Sequence, residues 1–222
     1  MKISKHFKKI CGIVLNIIIP LKYSEQRLNK MTAEKFLSLT EPAEIPPAKN
    51  TIAIVNYRNK FVKEAVWALK FKNNYRVATL FAEIIYDTLI EELADLKLSA
   101  NFNNPILIAI PMTKRKIKKR GYNQAELIAQ KIAQIDGENF FEYRKHILKK
   151  IKNTAQQSRV PNKKERLENL KGCFKVINPS AIKNRNIILL DDVTTTGATL
   201  TEASQTLRLA GARQILCVAF AH

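Results

Sequence analysis

The stretch "IILLDDVTTTGATL", residues 187–200, places two adjacent carboxylates between an apolar run and a small polar loop. Four consecutive apolar residues predict a buried strand, and the residues from Ala198 onward have the spacing of an amphipathic helix. Asp191 and Asp192 therefore stand where a strand ends and a loop leads into a helix. In open α/β sheets, ligands bind at this end of the strands. We expect an α/β fold with a ligand site at this junction.

Apolar runs and amphipathic segments alternate along the rest of the chain. Buried strands are predicted for "NPILIAIP" (104–111), "NIILLDD" (186–192) and "RQILCVAFAH" (213–222). Helices are predicted for "NKFVKEAVWALKFKN" (59–73), "YRVATLFAEIIYDTLIEEL" (75–93), "AELIAQKIAQI" (125–135) and "ATLTEASQTLRLAG" (198–211). This alternation predicts a mostly parallel sheet with helices on both faces.

The prolines of "EPAEIPPAKN" (41–50) mark a linker, so we expect an N-terminal segment over residues 1–50 and an α/β domain over residues 51–222. The N-terminal segment has a basic start and an apolar run at residues 10–21. Asn16 interrupts this run and no small-residue cleavage site follows it, which favours a helical appendage over a secretory signal. The run is too short to span a membrane.

The charge balance and the cysteine spacing indicate which partners and which cellular compartment to expect. Lys and Arg number 38 against 19 Asp and Glu, a net charge of +19. This excess favours polyanionic partners such as nucleic acid, phosphorylated metabolites or anionic lipid, although a generally lysine-rich proteome gives the same balance. The three cysteines are widely spaced and form no C-x-x-C pair, so we expect a cytoplasmic protein without a disulfide framework.

The loop after the acid pair has the chemistry of an anion site. Backbone N–H groups at a helix start bind anions, hydroxyls add donors, and glycine permits close approach. The loop residues are Thr195, Thr196, Gly197, Ala198 and Thr199. Because Asp191 and Asp192 would repel a phosphate, we expect them to face a ribose diol or a Mg²⁺ ion. The alternative is a capping cluster that serves only the helix, but capping needs one such residue.

The pattern hydrophobic-hydrophobic-D-D-x-x-T-T-G-A-T resembles the phosphoribosyl pyrophosphate (PRPP) signature of type I phosphoribosyltransferases. Further stretches are similar to the ComF family, named for competence and DNA uptake. They are "ALKF" (68–71), "IPMTKRKIKKRGYNQAELIA" (110–129), "NTAQQSRVPNKKERLENLKGCF" (153–174) and "LRLAGARQILCVAFAH" (207–222), in the family's order. The resemblance implies a type I phosphoribosyltransferase-like fold with a short N-terminal helical appendage.

The resemblance also implies roles for individual residues. Asp191 and Asp192 would be the catalytic pair that holds the ribose hydroxyls of PRPP, and residues 195–199 would bind its 5′-phosphate. Lys114, Arg115 and Arg120 would meet the diphosphate, whereas the alternative is a solvated basic loop. Gln157 and Arg166 would contact ligand from a mobile cover, unless they are surface residues of an ordinary loop.

The implied reaction is Mg²⁺-dependent transfer of a phosphoribosyl group from PRPP to an unknown nitrogen acceptor. Thr195 stands where purine transferases of the superfamily carry an acid, which disfavours purine salvage by that route. The alternative is a cytoplasmic accessory protein of DNA uptake that binds single-stranded DNA or a helicase partner, with the PRPP site as a sensor or relic. A third option is a ligand-sensing regulator without turnover.

Two further stretches bear on nucleic-acid binding. ComF proteins usually begin with a zinc ribbon, but Tyr23 and Gln26 occupy its first two cysteine positions here, so we expect no zinc. In "FVKEAVWALKFKNN" (61–74), aromatic residues alternate with lysines, a combination that can stack bases and hold phosphates. We nevertheless expect Trp67 to belong to the hydrophobic core.

Overall fold

A computed structural model describes residues 26–44, 48–152 and 168–222 of the chain. The helices are α1 (Ala33–Leu37), α2 (Lys60–Phe71), α3 (Tyr75–Ala100), α4 (Lys114–Arg120), α5 (Gln124–Ile135) and α6 (Ala198–Leu209). The strands are β1 (Thr51–Val55), β2 (Ile106–Ala109), β3 (Glu142–Tyr143), β4 (Leu148–Lys150), β5 (Phe174–Val176), β6 (Ile187–Val193) and β7 (Ile215–Ala221).

Five strands form one parallel sheet in the order β1-β7-β6-β2-β3. The longest strands, β6 and β7, lie at its centre and pair along their length from Ile187↔Ile215 onward. Strands β4 and β5 pair antiparallel as a separate two-stranded sheet. Neither β1 nor the short strands β3, β4 and β5 had been predicted.

Successive residues of the central strands pack into two different cores, as the pleat requires. Ile188 and Leu190 join the core beneath α2, α3 and α5, whereas Ile187 and Leu189 join the core beneath α6. The sheet is therefore covered by helices on both faces, and the expected α/β fold class is confirmed. None of the helices in the described part of the chain is long and apolar enough to cross a membrane.

Helix α1 packs against the core that lies beneath α2, α3 and α5. Phe36 is fully buried, with its ring centroid 6.1 Å from that of Phe81 and 5.9 Å from that of Phe220. Pro42 bridges to Val55 at the end of β1. The boundary between residues 50 and 51 stays a prediction, and the apolar run at residues 10–21 lies outside the described residues.

The prediction that Trp67 belongs to the core is wrong. Trp67 is only partly buried and belongs to neither core, because it lies off the stripe formed by Val62, Val66 and Leu69 on α2. Its ring contacts that of Phe71, at 5.8 Å between centroids, and Phe71 is 60% exposed. The aromatic residues at the end of α2 therefore face outward.

Candidate functional site

The two acids lie at the carboxyl end of the sheet's central strand. Asp191 still pairs with Ala219 of β7, and the backbone N–H of Asp192 donates to Asp191 Oδ1 at 2.9 Å. The apolar run before them is fully buried, so it fixes the strand, and the acids follow where burial declines. This places the pair at the edge of the sheet where α/β proteins bind ligands.

Lys70, from the last turn of α2, forms an ion pair with the acid site. Its Nζ lies 2.8 Å from Asp192 Oδ2, and the two side chains are only 20% and 13% exposed. Asp192 Oδ2 has no further hydrogen-bond partner among the described residues. Lys70 lies in the stretch "ALKF" (68–71), but only the fold brings its side chain to Asp192.

The pKa values of the two acids are shifted in opposite directions. Burial, together with the neighbouring charge of Asp192, raises the pKa of Asp191 to about 8. Burial opposes ionisation of Asp192 too, but the Lys70 ammonium outweighs it and lowers the pKa of Asp192. Near neutral pH the pair therefore holds one proton on Asp191 and one negative charge on Asp192.

Asp191→Asn should stabilise the protein, and more so at high pH. The pKa of Asp191 is higher in the folded state, so the folded state binds the Asp191 proton more tightly than the unfolded chain does. The stability that this proton contributes to the wild type is therefore lost as the pH rises towards 8. The neutral amide removes that loss, and its oxygen can still accept from the Asp192 N–H. We expect the free energy of unfolding to rise by on the order of 1–2 kcal/mol at pH 8.5, with a smaller gain at pH 5.

Urea unfolding of both proteins at the two pH values measures this difference. Asp95→Asn, the same replacement at an exposed carboxylate on α3, is the control and should change the free energy of unfolding by less than about 0.5 kcal/mol at either pH. An equal gain at both pH values for Asp191→Asn would show that Asp191 titrates normally.

The loop after the acids turns the chain into α6. The N–H of Thr194 donates to the carbonyl of Ala221, and Gly197 is the N-cap residue, with φ at +73°. Gly197 has no side chain with which to cap the first N–H groups of α6. The N-cap residue therefore makes no side-chain hydrogen bond to the helix, and backbone N–H groups at a helix start can bind an anion, which favours the ligand interpretation of the loop over capping by this residue.

A cationic cavity of ≈ 330 Å³ adjoins the end of β2. Thr113, whose side chain accepts from the N–H of Lys116, begins helix α4 here. The cavity is lined by Thr113, Lys114, Arg115, Lys149, Lys150, Ile151 and Lys152. The predicted cations Lys114 and Arg115 thus meet further lysines, contributed by β4 and the residues after it.

The electrostatics link this cationic cavity to the acid pair. Partial burial lowers the pKa of Lys150, while the charge of Asp191 acts in the opposite direction. Burial and the charge of Lys150 also lower the pKa of Lys116, and Asp191 again opposes the change. Strand β2, which leads to the cationic cavity at Thr113, pairs in parallel with β6 up to Ala109↔Leu190. The cavity and the acid pair therefore follow the same ends of two neighbouring strands.

Comparisons with known proteins place the chain among its relatives. No protein-family model matches it. Competence protein F of Haemophilus influenzae is 29% identical over 172 residues, covering 76% of this chain and 71% of that protein. DNA utilization protein YhgH of Salmonella typhimurium is 26% identical over 176 residues, covering 78% and 73%. Competence protein ComFC of Bacillus subtilis is 29% identical over 149 residues, covering 67% and 54%.

These relatives support the resemblance of the chain to the ComF family. Among solved structures, a hypoxanthine phosphoribosyltransferase from Staphylococcus aureus aligns with a TM-score of 0.31 and 12% identity. That alignment covers 60% of this chain and 61% of the transferase, which is too distant a similarity to assign an activity.

The predicted cations separate into two places. Lys114 and Arg115 line the cationic cavity, whereas Arg120 does not. Arg120 instead donates to Gln124 Oε1 at 2.9 Å and lies 5.6 Å from the ring centroid of Phe71. The predicted cover residues Gln157 and Arg166 lie outside the described residues.

Sequence reasoning missed the cations that reach the candidate site from distant segments. Lys70 arrives from α2, and Lys149, Lys150 and Lys152 arrive from β4 and the residues that follow it. The sequence "HILKKIKN" (146–153) carried a charge signal, but it follows no strong strand pattern that would have placed it. In the fold, β4 pairs antiparallel with β5, and these lysines line the cationic cavity together with Lys114 and Arg115 of α4.

Proposed function

We propose that this chain binds PRPP with Mg²⁺ and transfers its phosphoribosyl group to a nitrogen acceptor. The observation that supports this best is the meeting of three unlike features at one edge of the sheet. These are the half-buried acid pair, the helix start at residues 197–199 and the cationic cavity. PRPP combines a diol with phosphate groups at both ends, so it needs all three chemistries at once.

Each part of the site suits one part of PRPP. The N–H groups and hydroxyls at residues 195–199 would bind the 5′-phosphate. Asp191 and Asp192 would accept hydrogen bonds from the ribose hydroxyls. Lys114 and Arg115, with the lysines of the cationic cavity, would bind the diphosphate.

The residues present also fit a Mg²⁺ ion that arrives with PRPP. Mg²⁺ prefers one or two carboxylates together with phosphate oxygens and waters. Apart from Lys70, Asp192 Oδ2 has no hydrogen-bond partner among the described residues, and no group of three His, Cys, Asp or Glu residues within them could hold a metal alone. Bound Mg²⁺ would neutralise charge on the departing diphosphate.

The side chains of the site would act by positioning and charge. The acids would hold the ribose while positive charge develops at its C1 carbon, and the cations would stabilise the leaving diphosphate. Thr195 cannot remove a proton from an acceptor. The acceptor nitrogen must therefore be nucleophilic without help from the loop.

A second function, in DNA uptake, is supported by different observations. The curated relatives are named for competence and DNA utilization, and the chain carries a net charge of +19. Helix α4, "KRKIKKR", exposes Lys118 and Lys119, which do not line the cationic cavity. In this role the protein would bind single-stranded DNA in the cytoplasm beside the uptake machinery, and the PRPP site would serve as a sensor or relic.

Calorimetric titration distinguishes the two functions. The protein should bind PRPP with a dissociation constant of about 1 μM to 1 mM, tighter with Mg²⁺ than without. Ribose 5-phosphate and pyrophosphate, each half of the ligand, should bind more weakly than PRPP. Binding of a (dT)₁₂ oligonucleotide without any binding of PRPP would reject the transferase proposal and leave the DNA-binding one.

A further inference from the structure

Four aromatic side chains and two cations form a continuous surface beside the acid site. We call it the aromatic platform. Its members are Trp67 and Phe71 of α2, Lys72 after it, Tyr75 of α3, Arg120 of α4 and Tyr122. We propose that the aromatic platform binds an unpaired nucleotide, stacking its base and holding its phosphate.

The exposure of the rings argues for a ligand. Phe71 is 60% exposed and Tyr75 is 57% exposed, and Trp67 belongs to neither core. Burying one such ring would contribute about 1.5–3 kcal/mol to folding, so the fold leaves a large stabilisation unused here. Exposed aromatic residues in mutual contact mark an interaction surface rather than isolated surface hydrophobics.

The rings form two contacting pairs, and Tyr122 of the second pair bonds to Leu69 of α2, the helix that carries the first pair. Trp67 contacts Phe71 at 5.8 Å, and Tyr75 stacks on Tyr122 with centroids 5.9 Å apart and planes inclined by 23°. Arg120 lies against Phe71, and Tyr122 follows it by two residues. The aromatic platform is thus built from three helices and is not a single helical stripe.

The aromatic platform is held in place before any ligand arrives. Tyr122 donates its hydroxyl to the carbonyl of Leu69, and Gln124 accepts from Arg120. Asn74 caps the helix that carries Tyr75 by accepting from the N–H of Val77. Because these groups are already ordered, binding would cost little conformational entropy.

The charges select an anionic aromatic ligand. Lys72 Nζ lies 5.6 Å from the Trp67 ring centroid, and neither Lys72 nor Arg120 forms an ion pair with a carboxylate in the described part of the chain. Aromatic faces with unpaired cations suit a base and its phosphate, as in proteins that bind single strands. A duplex hides the faces of its bases, so the ligand is an unpaired nucleotide.

The aromatic platform is also coupled in space to the acid site. Lys70 lies between Trp67 and Phe71 in the sequence of α2 and reaches Asp192. A nucleotide bound on the aromatic platform would therefore lie beside the acid pair. The proposal does not require PRPP binding, and its test separates the two.

Trp67, the only tryptophan of the chain, makes the test local. A (dT)₁₂ oligonucleotide should quench its fluorescence, because a stacked base contacts the indole. Phe71→Ala and Tyr75→Ala should each weaken binding by about 5- to 100-fold. Phe140→Ala, an exposed phenylalanine before β3, is the matched control and should leave the affinity unchanged.

A titration with thymidine monophosphate distinguishes a free nucleotide from a DNA strand as the ligand. If thymidine monophosphate binds as tightly as the oligonucleotide, the aromatic platform serves a free nucleotide; if it binds far more weakly, the ligand is a strand. Either result supports the proposal. Absence of quenching, or oligonucleotide binding insensitive to Phe71→Ala and Tyr75→Ala, would overturn it. PRPP titration and circular dichroism of the same variants report separately on the PRPP site and on folding.

Discussion

Replacing Asp191 and Asp192 together with asparagine should weaken Mg²⁺–PRPP binding by at least about 100-fold. The two carboxylates would otherwise accept the ribose hydroxyls and support the metal, and hydrogen bonds to charged groups each contribute about 1.5–3 kcal/mol. Asparagine keeps the shape of both side chains but supplies no negative charge. Calorimetric titration of PRPP with and without Mg²⁺, on wild type and variant, measures the loss.

The two single variants distinguish a loss of PRPP contacts from a loss of stability. Asp191→Asn should stabilise the chain, since burial and Asp192 raise the pKa of Asp191, while Asp192→Asn leaves Lys70 without its partner. Comparing the two single variants with the double variant separates these contributions. Asp87→Asn/Asp95→Asn makes the same two replacements at exposed acids of α3 and should bind PRPP like wild type. Equal PRPP affinity in the acid-pair variant would remove the ribose role of Asp191 and Asp192.

The central strands and the acid pair were predictable because their signals are local. The run before Asp191 is continuously apolar, as a strand covered on both faces must be, and the loop follows at once. Strand β1, "TIAIV", was missed because it is short, lies at the sheet edge and is mostly half-buried. The two-residue β3 has no periodicity of its own to detect.

The contacts that complete the candidate site could not be predicted, because they join segments distant in sequence. Lys70 meets Asp192 across more than 120 residues, and Tyr122 donates to Leu69 across 53. Trp67 was assigned wrongly for another reason: hydrophobicity was given more weight than its place on the helix. The buried face of α2 includes Val62, Val66 and Leu69, and Trp67 lies off that face.

Gly197→Ala should cost about 2–4 kcal/mol of stability and weaken PRPP binding at least about 10-fold. Gly197 has φ at +73°, where side chains are strained, and an added Cβ would lie 2.5 Å from Ala48 Cβ. That atom cannot move without its backbone, so the loop must shift. The shift would displace the N–H groups at the start of α6 from the 5′-phosphate.

Variants at two other glycines separate backbone strain from steric crowding as causes of the stability loss. Gly211 has φ at +95°, but an added Cβ would come no closer than 3.5 Å to Lys183, so Gly211→Ala tests backbone strain with little crowding. Gly137 has open space around an added Cβ, and Gly137→Ala should be nearly neutral. Urea unfolding should show the largest loss of stability for Gly197→Ala, a smaller loss for Gly211→Ala and the smallest for Gly137→Ala. Only Gly197→Ala should also weaken PRPP binding. If Gly211→Ala is as damaging as Gly197→Ala, strain alone explains the stability loss; if Gly197→Ala also keeps its PRPP affinity, the loop does not hold the phosphate.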